Sequence, residues 1–322
     1  MSRPLRIGTR GSALALAQSG VVAEWLRPLW PSGPVELVTV VTTGDRLQGQ
    51  NPGRAAGRGL FVKEIEDALL AGRVDLCVHS AKDVPPQLPQ GLGLVALPAR
   101  ADPRDALCGC ALGNLRAGAR VATGSPRRAL QLRHLRPDLR FVPLRGNVDT
   151  RMARLRSGEF EAAVLAVAGL QRLGRSADIA ETLSPEAVIP AAGQGALAIE
   201  ARLDDPQVLG VAARLEDPAT AFAVLAERAV EAGLGGGCGA PTGVYAEPLG
   251  SGRYRLRAVV CGPSTGGMAH VVLESPEAVP AGAGRGALAD AAARFGAAAV
   301  EALLREGAGA LLAESPAGGE AE

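Results

Sequence analysis

Short apolar runs alternate with amphipathic stretches over the first two hundred residues. Leu5 to Thr9 reads as a strand that passes through Gly11 into a helix opening at Ser12, whose hydroxyl is a natural N-cap. Val35 to Thr42 is a second strand, Phe61 to Ala71 an amphipathic helix ended by Gly72, and Val74 to Val78 a short buried strand. A second unit of the same kind begins at Arg120. There Val121-Ala122-Thr123 is a strand, and Ser125-Pro126 supplies an N-cap with proline at the first helical position. A strand at 140–144, a helix at 148–157 after Asn147, and a strand at 161–167 continue the alternation. It predicts parallel sheets covered by helices.

Two segments read as hinges, Pro98 to Pro103 and Pro190 to Gly195. If the second returns the chain to the first lobe through a strand at Ala196 to Glu200, two lobes face each other across a cleft. A helix at 219–232 then leads into a region of different character. Strands at 242–247, 253–261 and 268–274 and an Ala-rich helix near 284–306 predict an α+β domain with antiparallel strands.

A length of 322 residues with 47% apolar content suits two or three globular domains. Aromatics are only 3%, so the core must be built from Ala, Leu and Val. The run Ala13 to Ala17 looks like the start of an export signal, but Gln18, Ser19 and Gly20 interrupt it. No apolar run reaches the roughly 20 residues that cross a bilayer. The expected compartment is the cytoplasm, with no membrane partner. Cys77, Cys108, Cys110, Cys238 and Cys261 form no C-x-x-C pair and lie near no histidine cluster, which argues against a zinc site or a disulfide framework. Net charge is only +1, yet residues 116–158 hold eleven arginines against Asp138 and Asp149. That local excess should attract something anionic.

Of the 34 basic residues only Lys63 and Lys82 are lysines. In a chain so biased toward arginine, a lysine hints at a site that needs a compact ammonium. Lys82 precedes Asp83 just beyond a predicted strand, where ligands bind in open α/β sheets; the alternative is a surface turn with a solvated ion pair. The segments Ile7 to Ser12 and Val121 to Arg127 share one plan of strand, hydroxyl, glycine, capping serine and helix, which leaves free amides at a positive helix end. Arg127 and Arg128 sit in a first helical turn, where cations oppose the dipole, and this makes sense if an anion docks there. Arg145 and Arg151 flank Gly146-Asn147 at another strand-to-helix turn. Cys238 lies within Gly235-Gly236-Gly237-Cys238-Gly239, a run that lets bulky material approach the backbone. Guanidinium forks clasp carboxylates and phosphates alike, so a small polyanion and a nucleic acid both remain open at this point.

The chain resembles the porphobilinogen deaminase (hydroxymethylbilane synthase) family. The match runs through Arg6 to Ser12, Gly59 to Glu64, Val78 to Pro85, Leu144 to Arg151, Leu165 to Leu170, Gly193 to Ala196 and Gly236 to Cys238, in order and at matching spacing. The resemblance implies an α/β fold with two periplasmic-binding-protein-like lobes, residues 1–98 plus 196–215 and residues 101–194, and a third smaller α+β domain, 217–322. It implies a dipyrromethane cofactor tied to Cys238 by a thioether. On that primer four porphobilinogen units join head to tail with loss of ammonia, and the linear tetrapyrrole is then hydrolysed off.

By motif position Asp83 is the catalytic carboxylate, which would stabilise the cationic azafulvene left by ammonia loss and shuttle protons. Lys82, Thr123, Ser125, Arg127, Arg128, Arg145 and Gly146 would hold the cofactor. Arg10, Ser12, Arg151, Arg172 and Gln194 would bind substrate side chains. The partners are then porphobilinogen and its oligomers, met by a monomer, with no nucleic acid. The scarcity of stacking aromatics also argues against a nucleic-acid partner. A non-catalytic binder of a small anion is the other alternative. The chain departs from the family pattern at Arg58 and Arg54, where lysine is usual, and at Pro126.

Overall fold

The computed structural model describes residues 3–43, 62–235, 241–276, 278–279 and 282–314. The chain divides into two compact units, Met1–Ala101 with Ala196–Ala221, and Asp102–Gly195 with Phe222–Glu322.

The chain opens with β1 (Leu5–Thr9), α1 (Ala13–Leu26), β2 (Val35–Thr39), α2 (Lys63–Leu70), β3 (Leu76–Ser80) and β4 (Leu92–Ala96). It continues with β5 (Asp105–Cys108), β6 (Arg120–Ala122), α3 (Pro126–Leu135), β7 (Arg140–Val142), α4 (Val148–Arg156), β8 (Ala162–Ala166), α5 (Val167–Arg172) and β9 (Ile179–Thr182). Then come β10 (Leu197–Arg202), α6 (Pro206–Ala212), α7 (Pro218–Gly233), β11 (Thr242–Gly250), β12 (Arg253–Cys261), β13 (Met268–Glu274), α8 (Arg285–Arg305) and α9 (Ala308–Ala313).

The first sheet has the order β2-β1-β3-β10-β4. β1 is parallel to β2 and β3, whereas β10 runs antiparallel between β3 and β4. The period-two pattern of β3 explains how both faces are covered. Leu76 and Val78 meet Val22, Ala23 and Leu26 of α1, while Cys77 on the other face meets Ile65, Ala68 and Leu69 of α2. Gly8 lies opposite Cys77 in the register, so the segments leaving β1 and β3 emerge from one sheet edge.

The second unit repeats the plan with the order β7-β6-β8-β5-β9. β6 is parallel to β7 and β8, and β5 is antiparallel to β8 and β9. The segments after β6, β7 and β8 therefore share an edge as well. The rest of this unit is the three-stranded antiparallel sheet β11-β12-β13. Phe222 of α7, Leu256 and Ala258 of β12, and Ala292 and Phe295 of α8 form its core. At Gly296 a Cβ would stand 2.6 Å from the Ala229 Cβ and 2.9 Å from the Ala226 carbonyl, so only glycine lets α7 and α8 come this close.

Two sheet-and-helix lobes with a smaller sheet domain fit the α/β class read from the pattern. Both large sheets are mixed, not parallel, because β10 comes back to the first sheet to run antiparallel between β3 and β4, and β5, the strand that opens the second sheet, runs antiparallel to β8 and β9. β3 also lies two residues later than its apolar run suggests. His79 and Ser80 belong to it, since β10 pairs with both, Ala198 opposite His79 and Leu197 opposite Ser80. Strands β4, β5 and β9 and helices α6 and α9 are absent from the elements that the pattern predicts.

Candidate active site

In the first unit, β3 runs into a 3-10 turn, Ala81–Asp83. The Ala81 amide donates to the Ala196 carbonyl at 3.0 Å, and Ala81 and Val84 are each 1% exposed. Between these anchors Asp83 is exposed, and among the described residues its carboxylate has no hydrogen bond or ion pair. Lys82 beside it is half-buried. Arg10 and Ser12 leave β1 at the same sheet edge, and the Ser12 hydroxyl accepts the Ala15 amide at 3.3 Å as the cap of α1.

Behind the turn lies a buried group of titratable side chains that pattern reading did not single out. His79 Nε2 and Glu200 Oε2 are 2.8 Å apart, and Gln18 donates to the Ser80 hydroxyl at 2.8 Å. Glu66 of α2 is buried beside them. Its carboxyl is pushed up to about 7, first by burial and then by the charge of Glu200, with His79 opposing. Glu66 Oε1 and Glu200 Oε1 have no hydrogen-bond partner among the described residues.

In the second unit the Thr123 hydroxyl accepts the Ser125 amide at 3.2 Å. Ser125 occupies the N-cap position of α3, but its hydroxyl makes no capping bond. The anion expected between Arg127 and Arg128 is Asp105, at the head of β5 and fully buried. Arg127 Nη1 lies 2.8 Å from Asp105 Oδ2, and Arg128 Nη2 lies 2.6 Å from Oδ1. Gln194 Nε2 donates to the same carboxylate at 2.8 Å and to the Pro103 carbonyl at 2.7 Å. Burial works to raise the Asp105 carboxyl, but the two guanidiniums outweigh it and hold the group well below the usual carboxylate range. A residue of this importance was legible only as one acid at the start of an apolar run, Asp105-Ala106-Leu107-Cys108.

Asn147 caps α4 by accepting the Thr150 amide at 2.8 Å. Gly146 takes φ 104°, a backbone that side chains rarely adopt, and its carbonyl accepts Arg151 Nε at 2.8 Å. Arg145 is exposed in the same segment. Arg172 Nη2 donates to the Gly195 carbonyl at 2.7 Å, next to Gln194. Burial lowers the pKa of both Arg151 and Arg172, and nearby Arg128 adds to the effect on Arg151. Neither has a carboxylate partner among the described residues. The structure thus joins Arg127, Arg128 and Gln194 through Asp105, sets Arg151 within reach of Arg128's field, and pairs Thr123 with Ser125. Cys238, Arg54 and Arg58 lie outside the described residues.

The described residues include no group of three metal-ligating side chains and no helix long and apolar enough to cross a membrane.

Residues 5–210 match the family model for the porphobilinogen deaminase dipyrromethane cofactor binding domain, and residues 221–268 match that for the porphobilinogen deaminase C-terminal domain. The chain belongs to the porphobilinogen deaminase family. A porphobilinogen deaminase of Roseiflexus sp. (strain RS-1) is 47% identical over 90% of this chain and 96% of its own length. That of Roseiflexus castenholzii is 46% identical over 97% of this chain and 100% of its own length. One from Syntrophobacter fumaroxidans is 51% identical over 76% of this chain and 80% of its own. Among solved structures, a periplasmic sulfonate-binding protein from Methylobacillus flagellatus covers 70% of this chain and 67% of its own at TM-score 0.37 and 15% identity, too distant to add to the argument.

Proposed function

We propose that this enzyme condenses four porphobilinogen molecules into hydroxymethylbilane with Asp83 as its catalytic carboxylate and Cys238 as the point of thioether attachment for the dipyrromethane cofactor. The observation that supports the role of Asp83 is its exposed carboxylate, without a partner among the described residues and set on a turn whose flanking residues are buried. Such a group is open to the positive charge that develops when porphobilinogen loses ammonia. An Asp83 Oδ atom would also take and return a pyrrole N–H proton.

The residues present fit a group that carries acetate and propionate arms. Arg151 and Arg172 are cations withdrawn from water without an acidic partner among the described residues, which is costly unless a ligand carboxylate arrives. With Arg127, Arg128, Arg145, Lys82, Thr123, Ser125 and the Gly146 turn they would hold the cofactor and growing chain, and Arg10, Ser12 and Gln194 would assist with substrate. When bound, the dipyrromethane supplies an electron-rich pyrrole carbon to which the first substrate unit is joined.

A monomeric, cytoplasmic enzyme of three domains, 1–98 with 196–215, 101–194 and 217–322, goes with this reading, as does the absence of nucleic acid. Much of the arginine excess is spent on acids of the same unit. Arg116 and Arg120 meet Glu161 at 3.2 and 3.5 Å, Arg136 meets Asp138 at 2.7 Å, and Arg154 meets Glu159. Intact-protein mass spectrometry tests the attachment. Purified protein should be heavier than its sequence by two pyrrole units, and Cys238→Ser should lack the increment; an unmodified wild-type chain refutes the proposal.

A further inference from the structure

Asp105 has no part in the chemistry above, yet it is the hub of the arginine-lined edge. One oxygen of its carboxylate takes Arg128 Nε at 2.9 Å and Nη2 at 2.6 Å, together with Gln194 Nε2 at 2.8 Å; the other is ion-paired with Arg127 Nη1 at 2.8 Å, without an aligned hydrogen bond among the described residues. Each partner is also tied to backbone. Arg127 donates to the Ile189 carbonyl at 2.6 Å and Arg128 to that of Val164 at 3.1 Å. Gln131 accepts the Ile189 amide at 2.8 Å, which braces the same segment. Two guanidiniums held this close repel one another, and a single buried carboxylate between them offsets that repulsion. It leaves positive charge over, since Arg127, Arg128 and nearby Arg151 face one acid here.

We propose that Asp105 is a positioning residue, which holds the guanidinium groups of Arg127 and Arg128 so that their remaining N–H groups meet ligand carboxylates in a fixed direction, while Gln194, whose two amide hydrogens go to Asp105 and the Pro103 carbonyl, braces the carboxylate from behind. Arginine side chains are long and rich in rotamers, so a free pair would lose much entropy on each binding event. A clamp from behind removes that cost in advance. The proposal rests on the reading that Arg127 and Arg128 contact substrate or cofactor.

The test uses the full-length enzyme with porphobilinogen, and wild-type turnover and cofactor mass are measured in parallel. Asp105→Asn keeps the shape and removes the charge. Its KM should rise about tenfold or more while kcat changes less than about threefold, because ground-state and transition-state binding are weakened together. In Asp105→Ala, formate should lower KM toward the wild-type value, and chloride at equal ionic strength should not. Arg128→Lys preserves charge but cannot be held as a fork, so its KM should rise similarly; this arm decides the matter if the Asp105 variants fail to fold. An unchanged KM in Asp105→Asn or Arg128→Lys, even with a lowered melting temperature, overturns the positioning role. Wild type that shows neither adduct nor turnover overturns instead the reading on which it rests.

Discussion

Replacing Glu66 by Gln should stabilise the first unit at alkaline pH and leave it nearly unchanged in acid. The carboxyl rises from 4.5 to about 7 in the folded state, with burial the leading cause. A folded-state value above the unfolded one means that the folded form binds this proton more tightly. The stability at stake is therefore fully present below about pH 4.5 and is lost as pH climbs through about 7. At about 1.4 kcal/mol per pH unit, that displacement is worth about 3 kcal/mol, and solvent relaxation around the carboxyl trims it to about 2. Glutamine fills the same space without a charge and removes the repulsion from Glu200. Thermal melts of both proteins at about pH 5 and pH 8 read the effect. At roughly 2–4 °C per kcal/mol, the variant should melt about 4–8 °C higher than wild type at pH 8 and within about 2 °C of it at pH 5. A gap of equal size at both pH values would refute the reasoning, since shape and not ionisation would then be responsible. Hydrogen exchange of the α2 amides should follow the same pH dependence, because Glu66 sits on that helix.

Asp83→Asn should lower kcat by about 100-fold or more while the melting temperature stays within error, because the side chain is exposed and without a partner among the described residues; equal ammonia release by wild type and variant would sink the catalytic role. Arg151→Leu should raise KM for porphobilinogen about tenfold without loss of stability, since the cation it removes is desolvated and lacks an acidic partner among the described residues; steady-state kinetics with a parallel melt checks both halves. Gly296→Ala should cost about 1–3 kcal/mol in urea unfolding, as the new methyl meets Ala229 and the Ala226 carbonyl at under 3 Å.

Strands and helices with clean periodicity could be read from the chain alone. β1, β12 and β13 fall where the apolar alternation puts them, and Ser12 and Asn147 cap the helices they precede. β5 escaped notice because a charged residue heads it, and that charge is tolerable only with partners more than twenty positions away in Arg128 and nearly ninety away in Gln194. Glu66, His79 and Glu200 escaped for a related cause. Nothing local distinguishes a glutamate aimed at a buried neighbour from one on a solvated helix face. Motif order carried the family, because it survives without knowledge of contacts. Ser125 shows the opposite limit, a capping residue by position whose hydroxyl is not spent on the cap.

The insertion of β10 between β3 and β4 has a consequence for biosynthesis. A ribosome delivers β4 about a hundred residues before β10, so the emerging chain holds the three-stranded piece β2-β1-β3 and a lone β4, with unpaired backbone edges, while the whole Asp102–Gly195 stretch is translated. Chaperone demand should peak in that interval. A message truncated anywhere before codon 202 would yield an aggregation-prone fragment in place of a smaller working lobe.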